Sequence, residues 1–194
     1  MPAKKSHAML FGSVLLLGST QLMAAPSASM LANTCAGCHG TGGNSVGPAS
    51  PTIAGKSAQY IMDVMESYKN GDRHSTIMAR IAKGYSEEEI KLMAEFFAGK
   101  TFESNAAKQD LDAAKIKAGS KLYKKNCSKC HDENGTLPDD DSGILAGQWL
   151  PYLQFTMEDY RSGRSEMTKK MKKKVDKLND EQIESLLQFF ASQK

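Results

Sequence analysis

The sequence predicts a nearly all-α chain of two tandem halves. Three observations carry this. The chain repeats itself over most of its length, each half closes on a helix with the same apolar stripe, and no alternating strand pattern of useful length occurs. With 194 residues, 40% hydrophobic and 24% charged, the composition lies within the range of ordinary globular proteins.

The first element is a leader. Lys4 and Lys5 precede an apolar run from Ala8 to Leu17, and Ala24 and Ala25 supply small residues for cleavage. The run falls short of the about 20 apolar residues that span a bilayer, so residues 1–24 read as a signal peptide, with no membrane attachment after cleavage. An exported chain is expected in an oxidising compartment such as the bacterial periplasm. The formal net charge is +3, two units of which sit on Lys4 and Lys5, so nothing points to nucleic acid.

The duplication sets the domains: 25–102, a linker over 103–115 within the polar stretch Gly99 to Lys115, and 116–194. Ile53-Ala54-Gly55 matches Leu145-Ala146-Gly147, Tyr60 matches Tyr152, and Tyr68-Lys69-Asn70-Gly71 matches Tyr160-Arg161-Ser162-Gly163. Each terminal helix opens on a possible capping box, Ser86 with Glu89 and, more weakly, Asn179 with Gln182. Their stripes are Ile90, Met93, Ala94, Phe97 and Ile183, Leu186, Leu187, Phe190. Gly119 and Tyr123 share a face of a helix leading into Cys127, suited to packing against Phe189 or Phe190. Halves of this size rarely hold together on an apolar core alone.

The four cysteines, Cys35, Cys38, Cys127 and Cys130, form two C-x-x-C pairs, each followed at once by a histidine, His39 and His131. That spacing is the signature of c-type haem attachment, two thioethers and a proximal histidine. A disulfide would not explain the histidines, a zinc ribbon needs its pairs some 15 to 20 residues apart, and a thioredoxin-like site needs a βαβ setting. Two covalent haem c groups, each with its iron, are expected, and they would supply the missing core.

Three histidines follow the leader, His39, His74 and His131, and two are spent as proximal ligands, so both haems cannot be bis-histidine. Methionine is the alternative, its thioether favouring reduced iron. Met78 lies 39 residues after His39 and Met171 lies 40 after His131. Met167 lies one helical turn from Met171 and stays open as its rival. His74 has no partner in the second half and reads as a solvent-facing loop histidine. For the second ring N–H of each proximal histidine, Gly47-Pro48 and, more loosely, Pro138 could present an accepting carbonyl, or could simply serve the turn. The lysines from Lys169 to Lys174 read as a solvated face or a dock for an acidic redox partner.

Several stretches carry a resemblance: Cys35-Ala36-Gly37-Cys38-His39-Gly40-Thr41, Asn44-Ser45-Val46-Gly47-Pro48-Ala49-Ser50-Pro51, Ser75-Thr76-Ile77-Met78, Ile81-Ala82-Lys83-Gly84-Tyr85-Ser86 and Ile144-Leu145-Ala146-Gly147-Gln148-Trp149. They resemble the dihaem cytochrome subunit of flavocytochrome c sulfide dehydrogenase, over nearly the whole mature chain. The resemblance implies tandem class I cytochrome c-like domains, each wrapped around one haem. It implies thioether bonds at Cys35, Cys38, Cys127 and Cys130, and iron ligation by His39 with Met78 and by His131 with Met171, the residues that spacing reaches independently. It also implies a heterodimer with a flavoprotein subunit that oxidises sulfide at FAD, and a soluble cytochrome c as acceptor; catalysis would then lie in the flavin subunit. A free-standing dihaem carrier to a terminal oxidase and a dihaem peroxidase are the alternative functions.

Overall fold

A computed structural model of the chain describes residues 25–194. The leader expected over 1–24 lies outside the described residues. Among the described residues the regular structure is helical throughout: α1 Ala28–Asn33, α2 Ala36–His39, α3 Ala58–Asn70, α4 Met78–Ala82, α5 Glu87–Ala98, α6 Ala113–Asn126, α7 Leu150–Arg161, α8 Lys169–Val175 and α9 Asp180–Ala191.

Local chemistry places the helix ends. Ser57 caps α3 by accepting from the Tyr60 N–H at 3.0 Å, and the helix stops at Gly71, whose φ of +85° is the left-handed conformation that glycine tolerates. Asp112 caps α6 and Thr168 caps α8. Both expected capping boxes form. Ser86 and Glu89 exchange bonds at α5, and Asn179 and Gln182 do the same at α9.

Each half has its own core. In the first, Leu31 and Ala32 of α1 meet Ile90, Met93 and Phe97 of α5. In the second, Tyr123 of α6 meets Ile183, Leu186, Leu187, Phe189 and Phe190 of α9. Gly119 lets α6 and α9 touch backbone to backbone, since a Cβ there would run into the Ser185 carbonyl. Tyr123 then stacks on Phe189, ring centroids 5.0 Å apart, and meets Phe190 edge-on at 5.7 Å. Its hydroxyl donates to the His131 carbonyl at 2.7 Å and accepts from the Asn134 N–H at 2.8 Å, fixing the loop after the second motif.

The repeat extends into the loops. The Gly43 carbonyl accepts from the N–H groups of Ile53 and Ala54, and the Gly135 carbonyl from those of Leu145 and Ala146. The Gly55 N–H reaches the Phe97 carbonyl at 2.9 Å, and the Gly147 N–H the Phe190 carbonyl at 2.8 Å. Each haem-motif loop is thereby tied to the terminal helix of its own half.

The halves are stitched together through Thr52. Its N–H donates to Gln148 Oε1 and its carbonyl accepts from Gln148 Nε2, both at 2.9 Å, while its hydroxyl oxygen accepts from the Ser45 N–H and from Asn105 Nδ2. Trp149 Nε1 donates to the Ser45 carbonyl at 3.2 Å. The polar stretch between the halves, which carries no periodicity, is pinned rather than loose. Asn105 is buried, and Gln109 clasps the Gln148 carbonyl and the Leu150 N–H.

Candidate haem sites

Both motifs fold as one helical turn. The His39 N–H bonds to the Cys35 carbonyl at 2.9 Å, and the His131 N–H to the Cys127 carbonyl at 3.0 Å. A turn of that pitch stacks the histidine over the first cysteine and leaves the second on the rim. Cys35 and Cys127 are half-buried, Cys38 and Cys130 are exposed, and all four thiols are free.

In the first half Cys35, His39 and Met78 line one cavity, whose wall is mostly apolar, with Ile53, Ile61, Met65, Ile81 and Phe97 among its residues. Met78 opens α4. His39 is buried, and its Nδ1 lies 2.8 Å from the Pro51 carbonyl oxygen. A carbonyl only accepts, so Nδ1 carries the proton and Nε2 is left bare for a metal. Burial pushes the imidazole pKa down, against the opposing pull of the Pro51 carbonyl, which keeps the ring neutral and able to ligate. The expectation that Gly47-Pro48 would supply this carbonyl is corrected. The Gly47 N–H and carbonyl are both engaged by the Ser45 hydroxyl, and the loop turns so that Pro51 arrives at the ring instead.

The second half brings Cys127, Met167 and Met171 onto the core formed by α6 and α9. The His131 ring stands 6.0 Å from that of Phe190, and burial pushes its pKa down too. Its Nδ1 is buried with no hydrogen-bond partner, so Pro138 does not play the part expected of it. His74 is drawn away from both sites. It is exposed in a loop, as expected, and also makes a contact between the halves, its Nδ1 pairing with Asp159 at 3.2 Å and its backbone N–H donating to the Ser165 hydroxyl at 3.0 Å.

A flat apolar cofactor with a central metal fits these residues. The first half supplies a hydrophobic cavity with a neutral imidazole, a thioether and a thiol on its wall, and the second an orphaned imidazole beside a thiol and two thioethers.

A family model described as "Cytochrome c" matches residues 24–99, and one described as "Cytochrome C oxidase, cbb3-type, subunit III" matches residues 114–190. The cytochrome c-554(548) of Halomonas halodenitrificans is 34% identical over 67 residues, which make up 33% of this chain and 81% of that protein. This chain belongs to the cytochrome c family. Its two cytochrome c domains imply two covalent haem c groups, matching the two C-x-x-C-H motifs, and the protein is a dihaem electron carrier. The cytochrome subunit of sulfide dehydrogenase of Chlorobaculum tepidum is 54% identical over 68 residues, 35% of this chain and 61% of that subunit, so the match spans less than two thirds of it. For the fold, the crystal structure of reduced cytochrome c4 from Pseudomonas stutzeri superposes with a TM-score of 0.75 at 24% identity, covering 88% of this chain and all of that one.

Two functional features escape a first reading of the sequence. Gln148 and Trp149, part of the quoted resemblance, are the residues that reach across to the first half. Lys56 and Arg73 line the first cavity. The signal for the latter pair lies in the repeat itself, at positions where the halves differ.

Proposed function

We propose that this cytochrome is the electron-transfer subunit of a sulfide-oxidising flavoprotein dehydrogenase, exported to the periplasm, receiving electrons from an FAD-bearing partner and passing them to a soluble cytochrome c. The observation that carries this reading is the 54% identity to a protein named as the cytochrome subunit of sulfide dehydrogenase.

Within this reading Cys35 and Cys38 tether the first haem, and His39 Nε2 and Met78 ligate its iron. Cys127 and Cys130 tether the second, with His131 and Met171 on its iron. Haem c supplies a one-electron ferric/ferrous couple. The protein supplies the rest. The Pro51 carbonyl orients the His39 ring, the apolar wall excludes water, and the thioether of Met78 favours the reduced metal. Met171 is preferred to Met167 because it lies eight residues before the cap Asn179, as Met78 lies eight before Ser86. Five exposed lysines of α8 flank Met171 and would steer an acidic redox partner towards the second haem.

The test is to isolate the complex from its native source by a tag on this chain and measure haem and flavin together. Two haems per flavin, with haem reduction on adding sulfide, is the expected result. A chain that isolates with its two haems and no flavin would be a free-standing carrier, and the proposal would fall.

A further inference from the structure

Around the two haem sites the repeat is broken by charge. Aligned on the cysteine pairs, Ala32, Asn33 and Gly37 fall on Lys124, Lys125 and Lys129. Aligned on Met78 and Met171, the segment Thr76, Ile77, Ala79, Arg80 and Ile81 falls on Lys169, Lys170, Lys172, Lys173 and Lys174. Of these first-half positions only Arg80 is charged, whereas the second half carries a lysine at every one.

All of these lysines are exposed, and they come from two separate elements. Lys124 and Lys125 lie in the last turn of α6, Lys129 lies between the cysteines beside the exposed Cys130, and the rest belong to α8, which carries Met171. Lys174 joins the two groups. It takes the place of Ile81, which lines the first cavity, and its charge opposes the upward push of burial on the Cys127 thiol, which puts its ammonium near the tether. Among the described residues only Lys172 of this set enters an ion pair, with Asp176 one turn along its own helix. Asp132 and Asp139 act on His131, and neither forms an ion pair with a lysine.

This arrangement works against the fold. Lys169 with Lys173 and Lys170 with Lys174 are like charges one turn apart on α8, which destabilises a helix. Opposite charge brought from outside relieves that repulsion. A membrane surface would answer the charge but accepts no electron, and the lysines gather about the cysteines and the methionine that hold a redox group. The first site is built otherwise, since its rim offers Ile77, 45% exposed, in place of Lys170.

We infer that the lysines of α6, the motif turn and α8 form one docking face for a small acidic electron-transfer protein whose carboxylates surround its own redox centre, and that electrons leave this chain through the second haem only. One electron passes from the ferrous second haem, which becomes ferric, to the oxidised centre of that partner, which is reduced. The inference rests on the proposed transfer to a soluble acceptor and is independent of the flavoprotein. Steering of this kind speeds association by about 10-fold to 1,000-fold at low salt and fades as salt rises.

The experiment mixes the ascorbate-reduced dihaem protein, with no flavoprotein present, with oxidised plastocyanin, a small acidic copper protein, in a stopped-flow instrument. In the wild type the second-order rate should fall about tenfold between about 10 and 200 mM salt. Lys124→Glu/Lys125→Glu on α6 and Lys173→Glu/Lys174→Glu on α8 should each slow the reaction about tenfold at the lower salt, with two haems bound. The same charges at aligned first-half positions, Asn33→Glu/Thr76→Glu, should leave the rate within about twofold. Calorimetric binding of reduced plastocyanin to the reduced protein, with no electron to transfer, should weaken in parallel with the rates. Reversing charge on two elements lets one variant decide where the other does not mature. A rate indifferent to salt and to the lysine reversals, or an equal loss in Asn33→Glu/Thr76→Glu, would overturn the exit through the second haem. Co-sedimentation with phosphatidylglycerol vesicles that the lysine variants lose, while their plastocyanin rate stays at the wild-type value, would give the face to a membrane and overturn the inference as well. With no flavin in the assay, every outcome is read apart from whether the chain isolates with a flavoprotein.

Discussion

Met78 and Met171 are half-buried thioethers on short helices, each followed by the capped terminal helix of its half. Met78→Ala is expected to lower one haem's potential by on the order of 0.1 V, well inside the span of about 0.8 V that axial ligands command, and to leave the other couple in place. Met171→Ala should do the same to the other haem, while Met167→Ala should not; the reverse pattern in a potentiometric titration would move the ligand to Met167. Residue types and intervals were legible in the sequence because the covalent chemistry of C-x-x-C-H is local. The carbonyl that orients His39 was not. Pro51 lies twelve positions beyond His39 and reaches the ring through the path of the intervening chain, and no short-range signal separates it from Gly47 or Pro48. His74 is exposed in a loop as expected, but its contacts were not legible, since its partners Asp159 and Ser165 come from the other half of the chain.

At the scale of the element, helix caps and helix crossings carry the stability of each half. The Ser86 hydroxyl accepts from the Glu89 N–H at 3.2 Å while Glu89 returns a bond to the Ser86 N–H at 2.9 Å. Ser86→Ala should therefore cost about 1 kcal/mol in chemical denaturation. The crossing of α6 and α9 is less forgiving. Gly119→Ala would place a methyl against the Ser185 backbone and the Phe189 side chain, neither of which can step aside within a helix. A cost of about 1 to 3 kcal/mol is expected, with the second-half haem environment perturbed and the first unchanged by absorption spectroscopy. These elements were readable beforehand because periodicity and capping are local in sequence. The stripes Ile90, Met93, Ala94, Phe97 and Ile183, Leu186, Leu187, Phe190 are buried as expected. The sequence-level pairing of Gly119 and Tyr123 also anticipated the contact with Phe189 and Phe190.

At the scale of the whole molecule, two similar halves meet at a face where their residues differ. The repeat told of two domains but was silent on how they meet, since internal likeness reports what the halves have in common and the seam is built from what they do not. Gln148 shows this most clearly. It is fully buried, and its amide pairs with the Thr52 backbone in both directions, like a rung of sheet between two helical bodies. Its counterpart Lys56 instead sends a charge across to Ile144. Gln148→Leu would leave the Thr52 N–H and carbonyl buried without partners, a penalty of about 1 to 3 kcal/mol for each group, and opening the seam to water is the cheapest way to satisfy them. Calorimetry should then show the thermal transition splitting or broadening towards separate unfolding of two halves, and X-ray scattering a larger radius of gyration, with both haems still bound. Each half keeps its own core and its own loop-to-helix ties, so the loss should fall on the coupling between them. A single sharp transition at an unchanged scattering radius would mean that Trp149, Lys56 and the pinned segment through Asn105 and Gln109 hold the halves together without the amide rung.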